Sequence, residues 1–181
     1  MKKLFLVVSL VILVCFTFSC QDKAAMAELE KYKAQAKVEE QNKELYRKYV
    51  EAWNKGDYEK LRGTYAPDYV YCYPSATPKP QSGEETIEMI KGIREGFPDC
   101  IWTIEALVAE GDMVITRNVF RGTHTGTFQG IPPSGKSIEL GSIIIARIIN
   151  GKTVEEREDY DSLTMMQQLG MELKPIEAKK K

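Results

Sequence analysis

The spacing of hydrophobic residues in the first part of the chain predicts helices. Residues 24–54 are rich in helix-forming side chains, and from Leu45 apolar residues recur three or four positions apart. Gly56 suits the left-handed position that ends such a helix. Asp57 can cap a short second helix that runs through Leu61. We therefore expect one long helix, charged at its start and apolar on one face at its end, followed by a short one.

A strand, a loop and a third helix are predicted next. The segment YAPDYVYCYP alternates like a strand, and the proline-rich segment PSATPKPQSG after it is a loop. Ser82 and Glu85 have the spacing of a capping box. The apolar face of the helix that follows ends at Phe97, and Pro98 stops the helix.

The second half of the chain alternates between polar and apolar positions, which predicts strands. The four segments are CIWTIEALVA, MVITRNVFRGTHTGTF, SIELGSIIIARII and KTVEEREDYDSL. Hairpin turns are expected at Gly111-Asp112 and Asn150-Gly151. TMMQQLGM then predicts a short terminal helix. Helices followed by long antiparallel strands predict an α+β fold, in which a curved sheet and the helices on one side of it enclose a pocket.

The N-terminus has the pattern of a bacterial lipoprotein signal. Lys2 and Lys3 precede an apolar run that ends at Ser19-Cys20. We predict a signal peptide at 1–19, an acylated Cys20 with a charged helical spacer over 20–43, a domain over 44–170 and a disordered tail over 171–181. The protein would then be exported and held by lipid at the cell envelope. An ordinary secretory signal or an uncleaved anchor is the alternative.

Charge and cysteine content narrow the function further. After Cys20 the chain has 23 basic and 26 acidic residues, a net charge of 23 − 26 = −3, which does not favour nucleic-acid binding. Cys72 and Cys100 would form either a disulfide or two buried thiols. The sequence lacks the clustered cysteines and histidines of a zinc site, so no metal is expected.

Five segments in order resemble one known family. They are EAWNKGDYEKL, FPD, GDMVITRNVFRGTHTGTFQGIPPSGK, INGKTVEEREDYD and QQLG. Over residues 45–170 the chain resembles the SnoaL-like polyketide cyclases and ester cyclase-like proteins of the nuclear transport factor 2-like superfamily. The resemblance implies a cone-shaped barrel in which N-terminal helices cover the concave face of a strongly curved antiparallel sheet, and it implies pairing into a homodimer.

The resemblance also implies a reaction and a site. Characterised relatives close a ring by aldol condensation without a cofactor, and the family's acid on the last strand corresponds to Asp161. Asp159 stands where active cyclases can carry a histidine, and Arg157 stands where a tryptophan is frequent. The expected ligand is a small hydrophobic or carbonyl-bearing molecule.

Strand alternation places Arg157, Asp159 and Asp161 on one face. If Asn150-Gly151 is a plain two-residue turn, this face is the apolar one, and a bulge would reverse it. Two carboxylates in a pocket are forced apart in pKa, so that one acts as base and the other as proton donor. The alternative is a solvated ladder of charges on the outer face.

The remaining candidates are ligand contacts. His124, the one histidine, is either a general base or part of a bent strand and rim loop, and the glycines around it favour the second interpretation. Arg117 is either exposed or paired inside, where it could hold a carbonyl or anionic group. Trp53, Tyr71 and Trp102 are aromatic residues in elements expected around the pocket. The overall alternative to a cyclase or isomerase is a non-catalytic binding or assembly module.

Overall fold

The computed structural model describes the backbone of residues 2–172 and 174 and the side chains of residues 23–172 and 174. The chain divides into two compact units, Met1–Val38 and Glu39–Lys181. In the first unit, the side chains of residues 23–38 are all exposed. The predicted signal peptide and the Cys20 side chain lie outside the described side chains, and the lipoprotein assignment stays a prediction. Within the described part of the chain, no helix is both long enough and apolar enough to span a membrane.

The helices begin and end close to their predicted bounds, except that the first helix begins at Lys2 rather than near residue 24. They are α1 (Lys2–Lys55), α2 (Tyr58–Thr64), α3 (Gly83–Gly96) and α4 (Ser162–Gln168). Asp57 caps α2 by accepting a hydrogen bond from the Lys60 amide at 3.0 Å. Ser82 and Glu85 form the predicted capping box of α3. Local capping chemistry therefore sets these helix starts.

Six strands form one curled sheet in the second unit. They are β1 (Tyr65–Cys72), β2 (Gln81–Ser82), β3 (Ile101–Glu110), β4 (Met113–Thr123), β5 (Ser137–Ile149) and β6 (Lys152–Tyr160), in the order β2-β1-β6-β5-β4-β3. The sheet does not close, because β2 and β3 lie at its two edges. The α+β class is confirmed. The sheet is mixed rather than wholly antiparallel, because β1 runs parallel to β6.

The core lies between the inner face of the sheet and the helices. Along β5 every second side chain is buried, from Ile138 to Ile148, and the residues between them are exposed. The last turns of α1 contribute Tyr46, Tyr49 and Trp53 to the same core. Burial of each large apolar side chain contributes roughly 1.5–3 kcal/mol, so this packing holds the helices on the sheet.

Two strands end earlier than the sequence pattern predicts. β4 ends at Thr123, and β6 ends at Tyr160, after which Asp161 caps α4.

Cys72 and Cys100 are buried free thiols, which is the second of the two alternatives left open above.

Candidate functional site

A cavity of about 420 Å³ lies inside the second unit, between the inner face of the sheet, the end of α1 and α3. Its wall is mostly apolar and aromatic. The aromatic residues that line it are Tyr49, Trp53, Tyr71, Tyr73, Phe97, Trp102, Phe120, Phe128 and Tyr160. An enclosed, largely apolar space with a few polar groups is typical of a small-molecule site.

A β-bulge decides which acids of β6 face this cavity. Asn150 and Gly151 both have positive φ, which is the predicted two-residue hairpin turn. Ile148 pairs with Thr153, but Arg147 pairs with Glu155, so Val154 is an extra residue on β6. The extra residue reverses the alternation beyond it. Side chains with even numbers after the bulge point inward.

Glu156 and Glu158 are therefore the acids of the cavity wall. Both are buried, at 2% and 5% exposure, and both line the cavity. They are two residues apart on β6 and lie beside Ala146 and Ile144 of β5. Within the described residues, neither forms an ion pair with a basic side chain.

Burial raises the pKa of Glu156 to about 7. The hydroxyl of Tyr69 donates a hydrogen bond to its carboxylate, which opposes the shift, and the nearby charge of Glu158 adds to it. Because desolvation disfavours the charged form of a carboxyl group, this acid exchanges its proton close to neutral pH.

Burial also raises the pKa of Glu158. The hydroxyl of Tyr71 donates to its carboxylate at 2.5 Å, and a hydrogen bond with Ser142 likewise favours the charged form. The acid whose charge acts on Glu158 is Asp159, which lies in solvent on the other face of β6. Each buried carboxylate thus has its own tyrosine on β1, which runs alongside β6.

Two tryptophans form the opposite part of the wall. The rings of Trp53 and Trp102 lie 5.3 Å apart between centroids, and Phe120 meets Trp53 edge-on at 6.1 Å. The Asn54 side chain holds Trp102 in place, because it accepts from the Trp102 amide and donates to the Trp102 carbonyl, both at 2.8 Å. These rings offer a rigid aromatic surface to a ligand.

The loop after β4 closes part of the mouth. Phe128 of this loop lines the cavity and packs against Phe97. The amides of Thr125 and Gly126 both donate to the carbonyl of Gly96 at the end of α3. A side chain at Gly126 would overlap the backbone of the helix end, so a glycine is required for this close approach.

The structure contradicts the predicted positions of Asp161 and Asp159. Asp161 is exposed and caps α4. Its carboxylate accepts from the Thr164 hydroxyl at 2.6 Å and from the Thr164 amide at 2.9 Å, and both hydrogen bonds lower its pKa. Asp159 is exposed, and hydrogen bonds from the Ser75 side chain and the Ser75 amide lower its pKa as well. Neither lines the cavity. The bulge and the early end of β6 account for both errors.

The two predicted arginines also lie outside the cavity. Arg157 is exposed on the outer face of β6 and donates to the Ser75 carbonyl at 2.7 Å. Arg117 is exposed on β4 and pairs with Glu105 at 2.7 Å. Both project from the face of the sheet opposite to the cavity wall, which agrees with the alternatives left open above, an exposed Arg117 and a solvated ladder of charges around Arg157.

His124 is a structural residue rather than part of the cavity wall. It is fully buried and packs against Phe97 with ring centroids 5.1 Å apart. Its Nδ1 lies 3.1 Å from the Ser134 hydroxyl and 3.3 Å from the Ser134 amide nitrogen. Its backbone amide and carbonyl bond to Lys136 and Gly135 and close the loop. His124 does not line the cavity, and its contacts agree with the bent-strand interpretation.

Trp53, Tyr71 and Trp102 lie on the cavity wall, as the aromatic pattern predicted. The sequence interpretation missed Glu156 and Glu158, although the run EEREDYD puts acids on both faces of the strand. The sequence therefore showed that acids lie on both faces of β6, but which of the two faces lines the cavity depends on the bulge. Among the described residues, no group of three acidic, histidine or cysteine side chains could hold a metal ion.

A second depression, about 590 Å³, lies on the surface at the ends of β3, β4 and β5. Its polar groups already bond to one another. Arg121 pairs with Glu139 at 2.8 Å, and Asp99 accepts from the Thr123 amide at 2.7 Å. This depression offers a ligand no buried ionisable group, so the enclosed cavity is the better candidate site.

Comparison with known proteins identifies the fold family. The sequence profile of the family described as SnoaL-like polyketide cyclase matches residues 43–169. No curated protein matches significantly. IdmH from Streptomyces antibioticus, a candidate polyketide cyclase, is 33% identical with a TM-score of 0.63, over 72% of this chain and 99% of IdmH.

Two further solved structures are similar. TsrD from Streptomyces laurentii is 29% identical with a TM-score of 0.62, over 70% of this chain and 92% of TsrD. AclR from Streptomyces galilaeus, a candidate hydroxylase, is 26% identical with a TM-score of 0.65, over 71% of this chain and 95% of AclR. The family profile matches residues 43–169, and IdmH is aligned over 99% of its own length at 33% identity. The chain therefore belongs to the SnoaL-like polyketide cyclase family.

Proposed function

We propose that the second unit binds a small, largely apolar, carbonyl-bearing molecule in the cavity and transfers a proton from or to the carbon next to the carbonyl. Aldol cyclisation and isomerisation are reactions of this class, and neither needs a cofactor. The observation that carries the proposal is the pair of buried carboxylates, Glu156 and Glu158, in an aromatic cavity. A carboxylate kept from water is a stronger base than one in solvent.

The two acids have different roles. Burial, with a smaller contribution from the charge of Glu158, raises the pKa of Glu156 to about 7, so the pair holds on to one proton near neutral pH. Glu158 is assigned as the base, because its charge is the one that acts on its neighbour. Hydrogen bonds favour the charged form of both acids, from Tyr71 and Ser142 on Glu158 and from Tyr69 on Glu156. Glu156 keeps the proton, which it can donate to the ligand oxygen as charge develops there.

The names of the similar proteins do not indicate which reaction this chain catalyses. IdmH is a candidate cyclase and AclR a candidate hydroxylase, so the family includes more than one assigned chemistry. The proposal for this chain rests on its own two glutamates. The assignment to an exported lipoprotein at the cell envelope rests on Cys20 and the preceding sequence, and it is part of the proposal.

A test does not need the natural substrate. The ketone 2-tetralone has acidic protons at C1, and their exchange in D₂O is followed by proton NMR. The protein should accelerate this exchange, and Glu158→Gln should reduce the acceleration by about 10² to 10⁴-fold, the usual effect of a positioned base. Asp161→Asn is the matched control and should leave the rate unchanged, because Asp161 lies outside the cavity.

The pH profile of the exchange should be bell-shaped. Its upper limb should lie near pH 7, where Glu156 loses its proton. Glu156→Gln keeps a donor and should remove that limb. Exchange that survives Glu158→Gln, or that a folded Asp161→Asn variant loses, contradicts the proposal. Binding of 2-tetralone in the cavity without any exchange would establish the binding module instead.

A further inference from the structure

The charge inside the cavity has one sign. Three ionisable residues other than tyrosine line it, and all are acids: Glu95, Glu156 and Glu158. No lysine, arginine or histidine is among the described lining residues. The arginines that the sequence offered for an anionic or carbonyl group, Arg117 and Arg157, pair with acids on the outer face. A ligand carboxylate or phosphate would therefore meet only repulsion here.

The two buried acids have hydrogen bonds but no counter-ion. Tyr69 and Tyr71 donate to them. The other ionisable groups close to one or both carboxylates are Asp159, on the outer face of β6, and four tyrosines, Tyr46, Tyr49, Tyr65 and Tyr160. Tyrosine hydroxyls are neutral at physiological pH. Buried charges in proteins are normally paired, since desolvation of an unpaired one is costly. Among the described residues, no counter-ion faces Glu158 or, above about pH 7, Glu156, and a cationic ligand would supply one.

The opposite wall suits a cation as well. Tryptophan faces attract cations through the ring quadrupole. The guanidinium of Arg94, which does not line the cavity, already lies 5.8 Å from the centre of the Trp53 ring, where it also bonds to the Asn54 carbonyl. Trp102, Phe120 and Phe97 extend this aromatic surface inside the cavity.

The mouth of the cavity is negatively charged, like its interior. Glu95 is exposed at the C-terminal end of α3, where the helix dipole adds negative potential. Acids at the mouth and at the floor attract cations along the way in. Entry and final position therefore favour the same kind of ligand.

We propose that the ligand of this cavity carries a protonated amine on an apolar, ring-sized body, with the ammonium group paired to the Glu156–Glu158 carboxylates and the body against Trp53 and Trp102. This deepens the proposed function, on which it rests for the use of the same cavity. The ammonium takes the place of the proton that Glu156 holds in the free protein, and Glu158 stays charged to act as base.

The test compares ligands that share one bicyclic body and differ in charge. They are 2-aminotetralin, the neutral alcohol 2-tetralol and the anion 1,2,3,4-tetrahydro-2-naphthoate. The chain has two tryptophans, and both line the cavity, so their fluorescence reports binding to the unmodified protein. At pH 7.5 the amine should bind about tenfold or more tightly than the alcohol, equivalent to about 1.4 kcal/mol. The carboxylate should bind most weakly.

Single substitutions test whether the preference for the amine depends on the two buried acids. Glu156→Gln and Glu158→Gln should each bring the affinity for the amine towards that for the alcohol and leave the affinity for the alcohol unchanged. Glu155→Gln, on the same strand but outside the cavity, should keep the preference for the amine.

The proposal is overturned if the alcohol binds the unmodified protein as tightly as the amine, or if the carboxylate binds more tightly than either. Exchange of 2-tetralone reports separately on the proposed function. Exchange that depends on Glu158 without a preference for the amine would refute only the amine. A preference for the amine without exchange would refute only the catalysis.

Discussion

Glu156 couples the stability of the fold to pH. Its pKa is raised by burial to about 7, above the ordinary value of 4.5, so the folded state binds its proton more tightly than the unfolded state does. The contribution to stability is fully present below pH 4.5 and is lost as the pH rises to about 7. The shift corresponds to about 3 kcal/mol. A catalytic or ligand-binding acid therefore costs stability at neutral pH.

Glu156→Gln should remove this dependence. The amide stays neutral at every pH and can still accept from Tyr69. Relative to the unmodified protein, the variant should gain about 3 kcal/mol of unfolding free energy between pH 4.5 and 7.5. Urea denaturation across this range measures it, with Glu155→Gln as control. Parallel pH curves for Glu156→Gln and the unmodified protein would mean that Glu156 is not desolvated as described.

At the scale of elements, the loop after β4 is held to the end of α3 by a close backbone contact. The amides of Thr125 and Gly126 bond to the Gly96 carbonyl, and a Cβ at Gly126 would overlap the carbonyl oxygen of Glu95. We expect Gly126→Ala to lower the free energy of unfolding by about 2 kcal/mol, since the backbone must shift. It should also release Phe128 and weaken ligand binding.

Gly63→Ala is the control for this prediction. Gly63 is exposed in α2, and a Cβ there meets nothing within 4 Å. This change should leave stability unchanged or raise it by about 0.5–1 kcal/mol through helix propensity. Thermal or urea unfolding of both variants measures the difference. Equal stability of the two alanine variants would show that the loop is not held by this contact.

At the scale of the whole molecule, the outer face of the sheet carries exposed apolar side chains. Ile143 and Ile145 of β5 are 45% and 41% exposed, and Ile115 of β4 lies beside Ile145. Arg117, Asp159 and Arg157 border these isoleucines on the neighbouring strands, and an apolar patch with a polar rim is typical of an interface. We expect a symmetric dimer through this face for the chain from Gln41 onward.

Ile143→Lys combined with Ile145→Lys should convert that dimer to a monomer, because two buried ammonium groups per subunit would lose their hydration. Light scattering at high micromolar concentration measures the mass. Leu163→Lys changes an equally exposed residue on α4 and should leave the dimer intact. A monomeric unmodified protein, or a dimer that survives both lysines, would contradict the predicted interface.

The sequence by itself determined the elements and the fold class, because its signals are local. The capping box at Ser82 and Glu85, the cap at Asp57 and the turn at Asn150-Gly151 each depend on side chains and backbone angles within a few residues. The aromatic wall could also be predicted, since large apolar residues on core-facing positions are buried wherever the core forms.

Only the tertiary structure decided which acids face the cavity. The extra residue Val154 arises from the pairing of β6 with β5. Because of it, Glu156 and Glu158 lie on the inner face of the sheet and Asp159 lies on the outer face. The end of β6 was decided in the same way, because Asp161 leaves the sheet to cap α4. A strand alternates with period two, so one unpaired residue reverses every side chain beyond it, and pairing between strands is not a local property of sequence.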